Sequence, residues 1–329
     1  MRAVTAPEPG GPEALRIVDR PSPVPAADEV VLRVRGTAVN RADTLQRMGF
    51  YPPPPGTTDV LGLECSGTIE TVGADVDGWA IGDRACALLA GGGYAEQVAV
   101  PAGQLLPVPE GMDLLTAAAV PEAFLTAHDN LATRARLVAG ETVLVHGGSG
   151  GVGTAAIQVA RLLGCRVITT AGSPDRLKRC RELGADGLID HRRQDLLGAV
   201  RELTAERGVD VILDVMGAAT LGINVACLAP DGRLVVIGLQ GGSRGEIDLG
   251  DMLRRRASLI CTTLRGRPAP QKAEVVARAT AALWEGFADG RLRPVVDRVL
   301  PLAEVALAHR LMESGAQFGK LVLEVSTAD

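Results

Sequence analysis

The sequence predicts a two-part α/β protein, with a β-rich, barrel-like domain and a doubly wound domain built on a parallel sheet. Three observations lead there. The first third of the chain carries short alternating apolar runs cut by glycine and proline turns. From about residue 123 to 265, continuous apolar runs alternate with segments of helical period. Within that stretch, one apolar strand runs directly into a glycine-rich turn and then a helix.

In chain order, strands read at 30–35, 66–72 and 94–100, divided by turn signals at Gly73, Gly82-Asp83 and Gly91-Gly92-Gly93. The glycine triplet reads as a hairpin turn without a ligand. One helix interrupts the strands. Asn40 suits its N-cap, Asp43 at the third position favours the helix dipole, and the helix ends before Gly49. Around Pro121 the texture changes to an Ala-rich helical stretch, 123–137. Strands then fall at 142–146, 166–170, 187–189, 209–214, 233–237 and 259–264, with helices at 151–163, 175–183, 196–205 and 220–228. The tail carries a helix at 271–289, a strand at 298–300, a helix at 303–313 and a strand at 320–325. It reads as a return to the first domain. The expected bounds are 1–122 plus 266–329 for the β-rich domain and 123–265 for the doubly wound one.

Composition narrows the function classes. The net charge is −5 and aromatics make up 2% of the 329 residues. A nucleic-acid reader needs a basic face or stacking aromatics, and this chain is poor in both. The nearest approach to a basic block, Arg254-Arg255-Arg256, reads as a solvated helix end. The six cysteines are scattered with no C-x-x-C pair, the pattern of buried free thiols in a reducing compartment. The amino-terminal residues hold no apolar signal core, and no run approaches ~18 apolar residues. The expectation is a cytoplasmic protein that neither spans a membrane nor binds nucleic acid.

The segment 142–153 reads Thr-Val-Leu-Val-His-Gly-Gly-Ser-Gly-Gly-Val-Gly. Glycines here permit a tight turn, let the backbone approach phosphate oxygens, and let the helix pack closely on the strand. The helix start offers unpaired N–H groups and the positive end of its dipole to an anion. Gly150, Gly151, Val152 and Gly153 are therefore the expected pyrophosphate contacts of a nicotinamide dinucleotide. At the tip of the second strand stands Ala171, where an NAD site places an acidic residue. Ser173 can donate a hydrogen bond to a 2′-phosphate, Arg176 can pair with it, and Lys178 is a weaker partner. These residues favour NADPH over NADH. His146, at the end of the first strand, reads as a satisfied core histidine.

The same residues carry a resemblance. With the 147–153 turn, Gly62-Leu63-Glu64, Ile81-Gly82-Asp83-Arg84 and Gly319-Lys320-Leu321-Val322, the chain resembles the medium-chain dehydrogenase/reductase superfamily over nearly its whole length. Zinc members of that family place a metal-binding histidine at the position of Leu63 and carry a lobe with four clustered cysteines. This sequence has no such cluster, and His128, His146, His191 and His309 are isolated from one another. The resemblance is thus to the zinc-free branch. Within it, the stretches 32–49 (with Asn40-Arg41-Ala42-Asp43), 51–56, 90–93, 118–126 (with Pro121-Glu122-Ala123) and 153–158 look most like the quinone oxidoreductases, of the tumour-suppressor-inducible type.

The resemblance implies a GroES-like first domain, a Rossmann second domain, NADPH, no metal, and a homodimer formed by the cofactor domains. It implies that Asn40 and Thr126 lie by the nicotinamide and that Ser173 and Arg176 hold the 2′-phosphate. His191 stands at an adenosine-side position commonly held by Tyr. Gly238, Leu239, Leu264 and Arg265 would line the nicotinamide channel, with Phe318 coming from the returning tail. Gly150 stands where near relatives carry Ser, so a hydroxyl is missing there.

The function so implied is zinc-independent hydride transfer from NADPH to a quinone or similar conjugated carbonyl. Without a Lewis acid the acceptor must stabilise its own product anion, which a quinone does by becoming aromatic. Tyr51, on a loop stiffened by Pro52-Pro53-Pro54-Pro55, is a candidate acid or orienting group, and a packing residue in the blander reading. Asn40 is the second catalytic candidate, with its N-cap role beside it. Two other functions stay open: a zinc-free enone or enoyl-thioester reductase on the same scaffold, and a non-catalytic NADPH-binding or RNA-binding protein. The acidic balance and scarce aromatics count against RNA.

Overall fold

A computed structural model describes residues 1–325. The chain divides into two compact units, one running from Met1 to Leu125 and resuming at Leu264, the other spanning Thr126–Thr263. In the first unit, β1 (Arg2–Thr5) and β2 (Arg16–Asp19) pair antiparallel. β3 (Glu29–Ala38), α1 (Arg41–Arg47), β4 (Glu64–Val72), β5 (Arg84–Leu88), β6 (Gln97–Pro101) and β7 (Leu105–Pro107) follow. Then come α2 (Leu114–Ala117) and α3 (Pro121–His128). The second unit carries β8 (Thr142–Val145), α4 (Gly151–Leu162), β9 (Arg166–Ala171), α5 (Pro174–Glu182) and β10 (Gly187–Asp190). It continues with α6 (Leu196–Leu203), β11 (Val209–Asp214), α7 (Leu221–Cys227), β12 (Leu228–Val236), α8 (Leu249–Arg255) and β13 (Ser258–Cys261). The returning tail supplies α9 (Ala269–Ala288), β14 (Val296–Pro301), α10 (Val305–Ser314) and β15 (Lys320–Glu324).

The first unit is the β-rich one. Its main sheet runs β14-β15-β3-β4-β5-β7, with β6 also on β3. The tail therefore adds two strands beside β3, with Val322 opposite Ala38 and Leu323 opposite Thr37. β3 is the spine because it is long and bonds three neighbours. Where its register to β4 shifts, Gly67 lies so close that a Cβ would stand 1.9 Å from the Arg33 carbonyl oxygen. No residue with a side chain fits that crossing. Leu32, Val34, Ile69, Tyr94, Leu321 and Leu323 share the buried core.

The second unit holds a six-stranded parallel sheet in the order β10-β9-β8-β11-β12-β13, the doubly wound arrangement the sequence predicted. Its central strands are buried along their length, which explains their continuous apolar sequence. No helix among the described residues is long and apolar enough to cross a membrane.

Some expectations need correcting. Gly91–Gly93 is not a hairpin turn, because β5 and β6, which flank it, pair with different strands. It is laced instead to the segment before β4, through Gly92 N–H to Val60 O at 2.9 Å and Gly93 N–H to Gly62 O at 3.0 Å. The helical stretch expected at 123–137 is α-helical only as far as His128. It then widens to π turns over Asp129–Arg134, with Ala135 N–H reaching Asn130 O at 2.9 Å. α8 has no place among the helices expected from periodicity, beyond the helix end read at Arg254-Arg255-Arg256; Leu249 and Leu253 on it are exposed, so it lacks the buried apolar stripe that marks a helix in sequence. The basic triplet does end this helix. Arg254 and Arg255 pair with Asp251, and Arg256, in left-handed backbone, pairs with Asp231.

One ionic knot ties α1 to α10. Arg47 is fully buried, donates through Nε to Gly10 O at 3.0 Å, pairs with Glu313 and lies 3.3 Å from His309 Nδ1. Burial, with the charge of Arg47 second, pushes the His309 pKa down to about 3 and keeps the ring neutral. A depressed histidine pKa gives stability that is present near neutrality and is lost as the pH falls through the range from about 6.5 toward that lower value. His309→Gln should therefore flatten the acid side of the melting-temperature profile. An unchanged profile would show that this ring contributes nothing to acid lability.

Candidate functional site

In the second unit, the glycine turn is pinned to β9 by Thr170. Gly147, at φ +66°, donates its N–H to Thr170 Oγ1 at 3.1 Å, and Gly148 N–H bonds Thr170 O at 2.9 Å. Gly150 occupies the cap position of α4, and Thr154 N–H closes the first turn on Gly150 O at 2.9 Å. The N–H groups of Gly151, Val152 and Gly153 precede that bond and have no partner within the helix. A Cβ on Gly153 would stand 2.2 Å from Gly147 O, whereas one on Gly150 would keep 3.4 Å from the same atom. The turn thus depends on Gly153 and tolerates a side chain at Gly150. Open N–H groups at the start of a 12-residue helix fit a diphosphate. His146 is a satisfied core residue, with Nε2 at 2.8 Å from Asn224 Oδ1 and burial lowering its pKa.

Ala171 ends β9 and is buried, with Asp190 opposite it on β10. Ser173 caps α5, its Oγ accepting from Arg176 N–H at 3.4 Å. Arg176 lies in the first turn of α5, and Lys178 is exposed. His191, just past β10, is exposed as well. A Cβ on Gly172 would sit 3.2 Å from His191 Nε2 and 3.0 Å from Arg192 Nε. Arg192 therefore faces the same loop as Ser173. Its one signal in the sequence is a basic residue one step beyond His191. Thr126 accepts a bond from Asn130 Nδ2 on its carbonyl at 2.8 Å. After β12, Gly238 packs so closely that a Cβ would lie 2.8 Å from Val215 O, and Leu239 is exposed.

The first unit assembles a buried polar cluster from distant parts of the chain. Asn40 stands at the N-cap position of α1, but its side chain works elsewhere. Its Nδ2 donates to Glu64 Oε1 at 2.9 Å, and its Oδ1 accepts from Lys320 Nζ at 2.6 Å. The helix start is held from the other direction, by Asp43 Oδ2 accepting from Asn40 N–H at 2.7 Å. Glu64 is fully buried, accepts from Lys320 Nζ at 2.7 Å, and takes the Glu122 N–H on its second oxygen at 2.8 Å. Burial raises Asp43 to about 6 against the bond from Asn40 and the charge of Lys320. Burial and then the charge of Glu64 raise Glu122 to about 8.

Tyr51 is placed by Arg265. The guanidinium donates to Tyr51 O at 3.2 Å, Ala90 O at 2.7 Å and Gln46 Oε1 at 2.6 Å, and lies 5.3 Å over the Tyr51 ring. Leu264 and Phe318 are both buried, and Phe318 N–H bonds Asp297 Oδ1 at 3.0 Å. Leu63, beside Glu64, is buried and has no atom able to bind a metal.

Two family models match this chain, an alcohol dehydrogenase GroES-like domain over 26–110 and a zinc-binding dehydrogenase domain over 151–281. The quinone oxidoreductase of Homo sapiens is 33% identical over 328 residues, covering 98% of this chain and 97% of that protein. The chain belongs to the quinone oxidoreductase family of the medium-chain dehydrogenase/reductase superfamily. A solved quinone oxidoreductase of Escherichia coli, complexed with NADPH, matches with a TM-score of 0.90 and 28% identity, over 99% of this chain and all of that one (100%). An NAD-dependent alcohol dehydrogenase matches with a TM-score of 0.88 and 34% identity, over 99% and 100% of the two chains. In the terms of this family, the first unit is the GroES-like domain and the second is the Rossmann domain.

The two sides of the cofactor site can be separated by binding alone. Gly153→Ala should weaken NADPH binding by more than about tenfold, since its methyl would meet Gly147 O, while Gly150→Ser should stay within about threefold of wild type. Arg192→Ala should weaken NADPH by about tenfold and leave NADH nearly unchanged. Fluorescence titration measures all three, and equal losses for the two cofactors would remove Arg192 from the phosphate pocket.

Proposed function

We propose that the protein reduces a quinone, or a similar conjugated carbonyl, by hydride transfer without zinc. The observation that carries this reading is Leu63, an alkyl side chain at the position that binds metal in zinc members, beside the Glu64–Lys320–Asn40 cluster. An acceptor that stabilises its own anion suits such a site, and the 33% identity to a quinone oxidoreductase supports it.

The cofactor is NADPH, which supplies the hydride when bound. Gly150, Gly151, Val152 and Gly153 hold the diphosphate. Ser173, Arg176, Lys178 and Arg192 hold the 2′-phosphate, and His191 packs on the adenosine side. Thr126, Gly238, Leu239, Leu264 and Phe318 serve the nicotinamide side. Asn40, fixed through both ends of its amide, has a rigid polar edge and is assigned to the nicotinamide by the same family resemblance. Arg265 spends three of its five N–H groups on Gln46, Tyr51 and Ala90 and keeps two with which to line the nicotinamide channel. It holds the Tyr51 loop, and Tyr51 orients the acceptor oxygen.

The assembly is a homodimer built on the second unit. β13 is an edge strand of the parallel sheet, Leu259 on it is 40% exposed, and Leu253 on α8 is 78% exposed. A second copy pairing along β13 would cover that edge. Leu259→Lys should give a monomer by light scattering; a monomeric wild type would overturn the assembly. Five buried free cysteines suit a reducing cytoplasm.

NADPH oxidation with 1,2-naphthoquinone, 1,4-benzoquinone, an enone and crotonyl-coenzyme A tests the reaction. Turnover of the quinones is expected, with Tyr51→Phe lowering kcat/KM about tenfold. Turnover of the enone or thioester alone would reassign the acceptor, and failure with all four would favour a non-catalytic NADPH-binding or RNA-binding protein.

A further inference from the structure

Glu122 is a carboxyl that none of these roles uses. It stands in the first turn of α3, where its backbone N–H is committed to Glu64. Its side chain keeps a solvent-accessible face, and its carboxyl has no hydrogen bond or ion pair among the described residues. The charged groups that act on it are Glu64 on β4, Asp43 on α1, Lys320 on β15 and Lys272 on α9. Arg265 feels its charge as well, and Arg265 is the residue that stacks over Tyr51. Glu64 in turn joins Glu122 to Asn40. Glu122 is thereby linked on one side to the candidate that orients the acceptor and on the other to Asn40.

Lys272 is the second unexplained group. It is 5% exposed, and its ammonium makes no hydrogen bond or ion pair among the described residues. Burial of its stem lowers the pKa of this ammonium, and among the described residues the opposite charge that acts on it is that of Glu122.

We propose that Glu122 is the acid that protonates the reduced acceptor, and that Lys272 is the countercharge for the carboxylate it leaves. The assignment rests on the quinone reading. Hydride from the reduced nicotinamide brings two electrons and one proton to the quinone, leaving a hydroquinone monoanion. The O–H bond of the Glu122 carboxyl breaks, an O–H bond forms on the charged oxygen of the acceptor, and the hydroquinone is neutral. Glu122 keeps the bonding pair as a carboxylate, and water restores its proton before the next turnover. Burial and the charge of Glu64 raise Glu122 to about 8, so it carries its proton at neutral pH and loses it above that value. Tyr51 then needs only to orient the acceptor.

The test combines kinetics with a readout that needs no turnover. For wild type, kcat/KM should fall as the pH rises through about 8. Glu122→Gln, close in shape and checked by its melting temperature, should lose about tenfold or more in kcat/KM at pH 7 and lose the alkaline limb. Lys272→Met should move that limb to higher pH, because the ammonium lowers the carboxyl's pKa. Infrared difference spectroscopy of the free protein should show a protonated carboxyl band at pH 7 that titrates with the same midpoint and is missing in Glu122→Gln. A Glu122→Gln enzyme within twofold of wild type with its alkaline limb intact would overturn the proposal, and so would the absence of that band. Failure of every quinone would refute the acceptor alone, since the infrared titration reports on Glu122 without one.

Discussion

The first unit depends on one buried ion pair. Lys320 and Glu64 are almost wholly enclosed, and each is satisfied by more than the other: the ammonium also reaches Val39 O and Asn40 Oδ1, and the carboxylate also takes the Glu122 N–H. Such a pair is tolerated in a dry interior only when its remaining donors and acceptors are met, and removing one partner strands the other. The pair joins the start of β15 to the start of β4, and through Asn40 and Glu122 it sets where α1 and α3 begin. Every side chain assigned to proton handling hangs on that frame, directly or through one neighbour.

The Rossmann unit was legible in the sequence because its signals are local. A strand buried on both faces is a continuous apolar run, and a helix beside it repeats with its own period, so β11 (Val209–Asp214) falls where it was expected and β9 differs by one residue. Trouble came where tertiary context overrode the pattern. β12 starts at Leu228 rather than 233 because the chain makes an irregular step past Asp231, in left-handed backbone, before settling into register. The glycine triplet looked like a hairpin because composition cannot say which strands pair. Its glycines answer a different need: a Cβ on Gly93 would lie 2.6 Å from Glu64 O.

The site divides along the same line. The diphosphate turn could be read because strand, turn and helix are consecutive. The polar cluster could not, since Asn40, Glu64, Glu122 and Lys320 meet only after the sheet closes. Gly62-Leu63-Glu64 and Gly319-Lys320 were noticed as family marks, without any sign that they touch. Asn40 was read as a cap because Asn favours that position, yet its amide is drawn away by a charged pair that local sequence does not contain. Arg192 becomes legible only once the chain after β10 lies against Gly172.

The placement of β15 has a consequence for how the chain is made. The Rossmann unit is one continuous segment, so it can fold as soon as its last strand has been synthesised. The GroES-like unit cannot. The edge of β3 at Gly36–Ala38 and the carboxylate of Glu64 wait for residues that emerge more than half the chain later. Until then the ribosome carries a nascent chain with an open strand edge and an uncompensated acid in its interior, and contacts of such long sequence separation form slowly. Translation that stops before Lys320 would leave a chain whose cofactor half is complete and whose first unit still lacks β15, the strand that joins β14 to β3.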